Sequence, residues 1–182
     1  LTRLGFKSPI IWYSLPTMVD FVGAFNEKMA IYHVVDDYLA YQGMTDEQRP
    51  RLQALERKML EKADLVFVVS DKLLQTKGAF NAHTYKIPNA VDFEAYDRAL
   101  KSDCAPPVDI AHIRRPIIGY SGLISGRLDL TLLEHLAAKG TDFSLVLLGT
   151  VDDRGCKGEI SALKRLKNIH FLGSKPYHQV PF

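Results

Sequence analysis

Six short apolar runs, separated by segments with a helical pattern, constrain the fold of this chain more than any other feature of its sequence. The runs cover residues 10–14, 30–35, 65–69, 117–121, 144–149 and 169–173. Each run is unbroken rather than alternating between apolar and polar residues, which is typical of strands covered on both faces of a parallel sheet. The runs therefore predict short, buried, parallel β-strands.

The helical pattern is clearest in two of the segments between these runs. Residues 46–63 place apolar side chains on one face, at Leu52, Leu55, Met59, Leu60 and Ala63. Thr45 and Gln48 have the spacing of a capping box before this helix, and Pro50 suits its first turn. Residues 129–139 form the second helix, with inward-facing side chains predicted at Leu132, Leu133 and Leu136.

The alternation of strand and helix predicts an α/β fold made of two doubly wound, Rossmann-like domains. The pattern lapses in a proline-containing stretch, so residues 101–115 are predicted to be a linker. It would join an N-terminal domain at 1–100 to a C-terminal domain at 116–182. Each part carries only half the strands of a free-standing domain of this kind, so both domains are expected to be incomplete.

Composition excludes several classes of protein. Hydrophobic residues make up 47% and charged residues 24% of the 182-residue chain, which is ordinary for a globular protein. A net charge of +2 without a basic cluster gives no reason to expect nucleic-acid binding. Cys104 and Cys156 have no metal-ligand or redox spacing, and the histidines have none either, so no metal site is predicted.

The stretch "GYSGLISGR", residues 119–127, places three glycines and an arginine where a strand should turn into a helix. The N–H groups at a helix N-terminus suit an anionic oxygen, and Gly122 and Gly126 would let the backbone approach a phosphate. Arg127 would add a charge-assisted contact. The alternative is a tight turn with Arg127 in solvent, and spacing alone does not separate the two. Neither a dinucleotide-binding nor a Walker glycine motif is present.

Longer segments around this turn resemble the donor-binding half of GT-B glycosyltransferases, in the large retaining group that uses nucleotide-diphosphate sugars. The segments are "IIGYSGLISGRLDLTLLEHLA", "FSLVLLG" and "LKNIHFLGSKPYHQVP". In the preceding half, "EKADLVFVVSDKLL" and "YKIPNAVDFEAY" resemble the strand and the crossing into the linker of the same group. The resemblance extends from about residue 10 to 181.

This resemblance implies a donor site in the C-terminal domain. The turn from Gly122 through Ser125, Gly126 and Arg127 would face the donor diphosphate, with Gly149 beside the nucleotide. Lys175 and Tyr177 would lie near the base. The group often has an arginine directly after the turn glycine and a lysine at the helix mouth, whereas this chain has Leu123 and Arg127 there. One cation therefore stands where two are usual.

The stretch "YHVVDDY" ends the second predicted strand with Asp36 and Asp37. Loops beyond the carboxyl ends of parallel strands are where such sheets bind ligands. In the resembled group this strand end faces the acceptor. Asp36 and Asp37 are the predicted catalytic residues, binding acceptor hydroxyls or stabilising positive charge at the anomeric carbon. The alternative is that Asp37 caps the next segment and Asp36 is solvated.

The resemblance implies a glycosyltransferase that moves a sugar from a nucleotide-diphosphate donor to a glycan, polysaccharide or lipid-linked acceptor, with retention and without a metal or other cofactor. It also implies a cytoplasmic protein with peripheral contact at the inner face of the membrane. A glutamate pair that binds ribose and sugar in the group does not follow here, so we expect this chain to be a fragment that is inactive alone. The alternatives are a sugar-nucleotide epimerase of the same fold and a non-catalytic nucleotide-binding module.

Overall fold

Two parallel sheets organise the chain in a computed structural model, which describes residues 4–41, 43–101, 106–140 and 142–181. One sheet belongs to each of two compact units, Leu1–Val91 and Asp92–Phe182, here called unit 1 and unit 2. Cys104 lies outside the described residues. All neighbouring strands in both sheets are parallel, as the unbroken apolar runs predict.

Unit 1 contains a four-stranded sheet with the strands in chain order. Its strands are β1 (Ile10–Tyr13), β2 (Met29–Val34), β3 (Leu65–Val68) and β4 (Thr84–Lys86). Its helices are α1 (Gln48–Lys62), α2 (Asp71–Lys77) and short 3-10 helices at Pro16–Phe21, Tyr38–Ala40 and Gly78–Phe80. The predicted capping box forms, because the Thr45 N–H donates to Gln48 Oε1 and the Gln48 N–H donates to Thr45 Oγ1.

Helices α1 and α2 cover one face of the unit 1 sheet. Tyr13, Tyr32 and Val66 point to that face and are buried together with Met59 of α1 and Leu73 of α2. Successive side chains of a strand alternate between faces, so the next residues along each strand lie on the other side. There the rings of Trp12, His33 and Phe67 form one aromatic group, with centroids 5.5–6.4 Å apart.

Unit 2 contains a three-stranded sheet, again in chain order. Its elements are α3 (Phe93–Lys101), α4 (Val108–Ala111), β5 (Ile117–Ser121), α5 (Leu130–Lys139), β6 (Ser144–Leu148), α6 (Lys157–Leu163), β7 (Ile169–Gly173) and a 3-10 helix at Tyr177–Gln179. Helices α5 and α6 cover one face, where Leu145 and Leu147 of β6 pack with Leu163 of α6. This succession of strand and helix confirms the predicted α/β class.

Several details differ from the predictions. The short strand β4 was not predicted, because three residues carry no readable period. The segment in which the apolar pattern lapses is partly helical, in α3 and α4. In α5 the buried residues are Leu130 and Ala137, whereas Leu132 is half exposed. The helix is therefore rotated relative to the predicted inward face, since Leu130 and Ala137 are one heptad apart on the same side.

The expectation that both faces of each sheet are covered is wrong for the described residues. In unit 1 Trp12 is 53% exposed, and in unit 2 Ile118 of β5 is 51% exposed. The helices of the main cores, α1 and α2 in unit 1 and α5 and α6 in unit 2, pack on a single face of their sheet, and the short α4 borders the other face of the unit 2 sheet. The unbroken apolar runs therefore combine one buried face with one face that is only partly covered.

Candidate functional site

The three strands of unit 2 end at one edge of the sheet, and each end carries a glycine. Gly122 and Gly149 directly follow β5 and β6, and Gly173 is the last residue of β7. The Gly122 N–H donates to the Leu148 carbonyl at 2.9 Å, and the Gly149 N–H donates to the Gly173 carbonyl at 2.9 Å. These bonds extend the sheet by one step beyond its strands and hold the three ends together.

Glycine is required at 149 by the backbone itself. Its φ of +141° lies in a region that other residues rarely adopt, and a Cβ there would overlap the carbonyl oxygen of Gly122. At Gly126, by contrast, the nearest side-chain atom to a Cβ would be 3.8 Å away, on Cys156, so packing does not demand glycine. Gly126 is thus the turn glycine that the fold does not explain.

A cavity of about 240 Å³ lies at this edge of the sheet. It is lined by the strand ends and the residues that follow them, including Gly122, Leu123, Gly149, Thr150, Ser174 and Lys175. The hydroxyls of Thr150 and Ser174 are 2.8 Å apart and bridge the loops after β6 and β7. Crevices beyond the carboxyl ends of parallel strands are the usual ligand sites of α/β sheets.

The turn between β5 and α5 is a tight turn that also has backbone N–H groups without a protein acceptor among the described residues. It is closed by the Leu128 N–H donating to the Ser125 carbonyl at 3.0 Å. Ser125 is buried, and its hydroxyl accepts from the Arg127 N–H at 3.4 Å. Within the described residues, the N–H groups of Leu123, Ser125 and Gly126 donate to no protein acceptor.

The N-terminus of α5 differs from the anion site that the sequence predicts there. Asp129 is the N-cap, and its carboxylate accepts from the Leu132 N–H at 2.9 Å. A carboxylate at this position stabilises the helix, but it also occupies one of the amide groups that an anionic ligand would use. The N–H groups of Leu123, Ser125 and Gly126, which have no acceptor among the described residues, lie in the turn ahead of the helix.

Lys175 and Tyr177, the residues predicted near the base, have different surroundings. Lys175 lines the strand-end cavity, and its ammonium contacts the carboxylate of Asp109 in α4. The hydrogen bond from Lys175 lowers the pKa of the Asp109 carboxyl below its ordinary value. Tyr177 is 59% exposed and does not line that cavity, and its hydroxyl accepts from the Asp92 N–H at 3.4 Å.

The structure thus brings together three of the predicted donor-site residues, Gly122, Gly149 and Lys175, around one cavity. Ser125, Gly126 and Arg127 form the adjoining turn without lining the cavity, and Arg127 is exposed. This geometry alone does not test their role in binding, so the predicted donor site stays a prediction.

A second cavity, of about 750 Å³, occupies the partly covered face of the unit 2 sheet. Its floor is formed by alternate residues of the strands, such as Gly119, Val146 and Leu172. Asp109 and Ile110 of α4 form one wall, and Lys175 together with residues 178–181 forms another. Lys175 lines this cavity as well as the strand-end cavity, so it lies where the two adjoin.

In unit 1, Asp36 and Asp37 follow β2 at the carboxyl edge of the sheet, as predicted. Asp36 accepts the Tyr41 hydroxyl at 2.6 Å and the Asp37 N–H at 2.8 Å. Asp37 is partly exposed, and its Oδ1 lies 4.0 Å from the ammonium of Lys77. As the N-cap of a 3-10 helix it makes no side-chain capping bond, so capping does not account for its carboxylate.

Sequence reasoning missed a buried ion pair beneath Asp37. Lys77 Nζ lies 2.6 Å from Glu56 Oε2, and both side chains are more than 90% buried. The Tyr32 hydroxyl and Glu56 Oε1 are buried and have no hydrogen-bond partner among the described residues, and burial raises the pKa of Tyr32. Glu56 sits among the apolar positions of α1, where a sequence pattern gives no sign that a charged residue is buried.

The part of the chain that the structure describes has neither a metal-binding group of side chains nor a membrane-spanning helix. No three His, Cys, Asp or Glu side chains are grouped so that they would hold a metal ion. No helix has the length and apolar content needed to cross a bilayer.

Comparison with known proteins gives matches in structure but not in sequence. No family model and no curated protein matches the chain. HepE from Anabaena, solved with UDP, matches with a TM-score of 0.67 and 15% identity, over 95% of this chain and 50% of HepE. Sucrose-phosphate synthase from Thermosynechococcus elongatus gives 0.69 and 18%, over 99% and 48%. TarM from S. aureus, solved with fondaparinux, alpha-GlcNAc-glycerol and UDP, gives 0.59 and 14%, over 95% and 35%.

These solved structures are GT-B glycosyltransferases. The chain spans about half the length of the first two and about a third of TarM. At 14–18% identity the likeness is one of fold. The chain therefore has the GT-B fold of these structures, with two Rossmann-like units.

Proposed function

We propose that this chain is part of a glycosyltransferase that moves a sugar from a UDP-sugar to a glycan acceptor, and that unit 2 binds the donor. The strand-end cavity carries the proposal. It combines glycine backbone, unbonded N–H groups in the adjoining turn and Lys175, which together suit a diphosphate. Because Lys175 lines this cavity with Gly122 and Gly149, we propose that it contacts the diphosphate rather than the base. The UDP present in the structures of HepE and TarM supports the choice of nucleotide.

The proposed chemistry needs the leaving UDP to be stabilised as negative charge develops on its diphosphate. The N–H groups of Leu123, Ser125 and Gly126 and the guanidinium of Arg127 would supply that stabilisation as fixed dipoles and positive charge. We propose that they do so without a metal ion. Addition of EDTA should then leave the dissociation constant for UDP unchanged.

In unit 1, we propose that Asp36 and Asp37 act on the acceptor side. A carboxylate at a strand end would accept a hydrogen bond from the acceptor hydroxyl or stabilise the positive charge at the anomeric carbon. Asp37 is the better placed, because both oxygens of Asp36 already accept hydrogen bonds within the protein. Retention of configuration, a polysaccharide or lipid-linked acceptor, and a cytoplasmic site with peripheral membrane contact belong to the same proposal.

Isothermal titration of the chain with UDP tests the donor site, with binding as the readout because the chain alone is expected to be inactive. We expect Arg127→Ala to raise the dissociation constant about tenfold or more, since it removes one charge-assisted bond worth roughly 1.5–3 kcal/mol. Arg165→Ala is the matched control, because Arg165 is an exposed arginine just beyond α6 whose guanidinium contacts the Ser161 carbonyl.

Three outcomes are distinguishable. Binding that weakens only in Arg127→Ala supports the site. Equal affinities in all three proteins would reject the role of Arg127. Absence of any heat with UDP or UDP-glucose at millimolar concentration would reject the donor site itself.

A further inference from the structure

Lys175 lies where both the carboxylate of Asp109 and an anion in the strand-end cavity would contact its ammonium. Its side chain lines the strand-end cavity together with Gly122 and Gly149. In the structure its ammonium is already in contact with Asp109 Oδ2, and that oxygen is buried at the contact. An anion entering the cavity would meet a lysine whose charge is largely compensated by a neighbouring carboxylate.

Asp109 reaches Lys175 from an element that is weakly attached. Helix α4 has four residues, none of them buried, and Val108 is 90% exposed. Its N-cap, Pro107, provides no side-chain capping bond. The buried side chain of Ile113 anchors the segment only after the helix has ended. Segments with few buried contacts open at low cost in free energy, so α4 can move without disturbing the sheet.

The carboxylate of Asp109 and a bound diphosphate differ in how strongly their charge attracts Lys175. A diphosphate carries more negative charge than one carboxylate, and the open N–H groups of Leu123, Ser125 and Gly126 favour it in addition. With Asp109 still in place, the ammonium of Lys175 would be shared between the carboxylate and the diphosphate. Binding is therefore strongest when the contact between Asp109 and Lys175 is broken.

We propose that Asp109 is a built-in competitor for the diphosphate: it holds Lys175 in the unliganded chain, and a diphosphate in the strand-end cavity takes over Lys175 and releases α4. The proposal rests on the donor site proposed above and adds a residue that sets its affinity. Asp109 acts through Lys175 and touches no ligand itself.

The test is a double-mutant cycle measured by titration with UDP. We expect Asp109→Asn to lower the dissociation constant about two- to fivefold, because asparagine keeps the shape of the side chain but removes its charge. Lys175→Ala should raise the constant about tenfold. In the double variant Asp109→Asn/Lys175→Ala, the constant should equal that of Lys175→Ala, because Asp109 has then nothing to compete for.

Asp142→Asn is the matched control for a general change in charge. Asp142 is an exposed carboxylate paired with Arg114 at 3.5 Å, just before the opposite, amino end of β6. Its substitution should leave the dissociation constant unchanged. Hydrogen exchange gives a second readout, since UDP should increase exchange in α4 of the wild-type chain but not in the Lys175→Ala variant.

The outcomes separate this inference from the proposed function. If UDP binds the wild-type chain and Asp109→Asn binds it no more tightly, the competition is refuted and the donor site stands. If neither UDP nor inorganic pyrophosphate binds the wild-type chain, titration of the Asp109→Asn variant with pyrophosphate decides whether the competition exists. Binding of pyrophosphate only to that variant supports the competition, and binding to neither protein overturns it.

Discussion

Unit 1 and unit 2 differ in whether the backbone N–H groups of their loops have an acceptor within the protein. In unit 1, the carboxylate of Glu27 accepts from the N–H groups of Gly23 and Phe25, so this loop contains its own anion. In unit 2, the turn after β5 has N–H groups for which the described residues provide no acceptor. The comparison teaches that a cluster of N–H groups indicates a ligand site only where the protein does not fill it.

The same contrast holds for charged side chains. In unit 1, the ammonium of Lys77 is buried against Glu56 at 2.6 Å, and Asp37 lies above it at 4.0 Å. In unit 2, the corresponding lysine contact, between Lys175 and Asp109, is partly exposed and lies at the rim of a cavity. A buried pair is part of the fold, whereas we propose that a partly exposed pair at a cavity can exchange one partner for a ligand.

The largest expected effect comes from breaking the buried pair in unit 1. Lys77→Met should reduce the free energy of unfolding by about 3–5 kcal/mol, because it leaves the charge of Glu56 buried and uncompensated. The double variant Lys77→Met/Glu56→Leu should recover most of this loss, since it removes both charges. Urea unfolding followed by circular dichroism gives both values, and equal losses in the single and double variants would contradict the interpretation.

A smaller effect is expected from the glycines of unit 2. Gly149→Ala should cost about 1–3 kcal/mol in stability from backbone strain, with the overlap on Gly122 adding to it. Gly126→Ala is the matched control, because that position has room for a Cβ. Its stability should change by less than about 1 kcal/mol, while UDP binding weakens if the turn approaches a phosphate. A large loss of stability in Gly126→Ala would show that this glycine is structural.

The smallest effect concerns the filled loop of unit 1 and depends on pH. The hydrogen bond from the Gly23 N–H, with further bonds from the loop, lowers the pKa of Glu27 below its ordinary value. The bound carboxylate therefore stabilises the fold above the ordinary pKa of Glu, and this contribution is lost as pH falls through the lowered pKa. Glu27→Gln should reduce stability by less than about 1 kcal/mol at pH 7, and the gap from wild type should close as the pH falls through the lowered pKa of Glu27.

Sequence patterns predicted the parts of the fold that depend on local regularity. Strands β5 and β7 have the predicted bounds, and α1 begins at the predicted capping box. The rotation of α5 was missed because Leu130 and Leu132 are equally apolar, so only packing against the sheet decides which one is buried. Helix α4 was missed because four residues have no period.

The candidate site was predicted only in part, for a similar reason. Glycines and strand ends can be located from the sequence, so Gly122 and Gly149 could be placed at strand ends in advance, whereas the roles of Gly122, Gly149 and Lys175 in binding stay a prediction. The partners of charged residues cannot be predicted from the sequence, because residues such as Asp109 and Lys175 are far apart along the chain and meet only in the folded unit. The pairing of Glu56 with Lys77 escaped prediction for the same reason.

The aromatic group on the partly covered face of unit 1 has a practical consequence. Trp12 is the single tryptophan of the chain, and its ring lies 5.6 Å from His33 and 5.5 Å from Phe67. Its emission spectrum is therefore an optical reporter of unit 1, whereas far-ultraviolet dichroism sums the backbone of both units. Melting curves recorded with the two signals would coincide if the units unfold together and separate if each loses its structure independently.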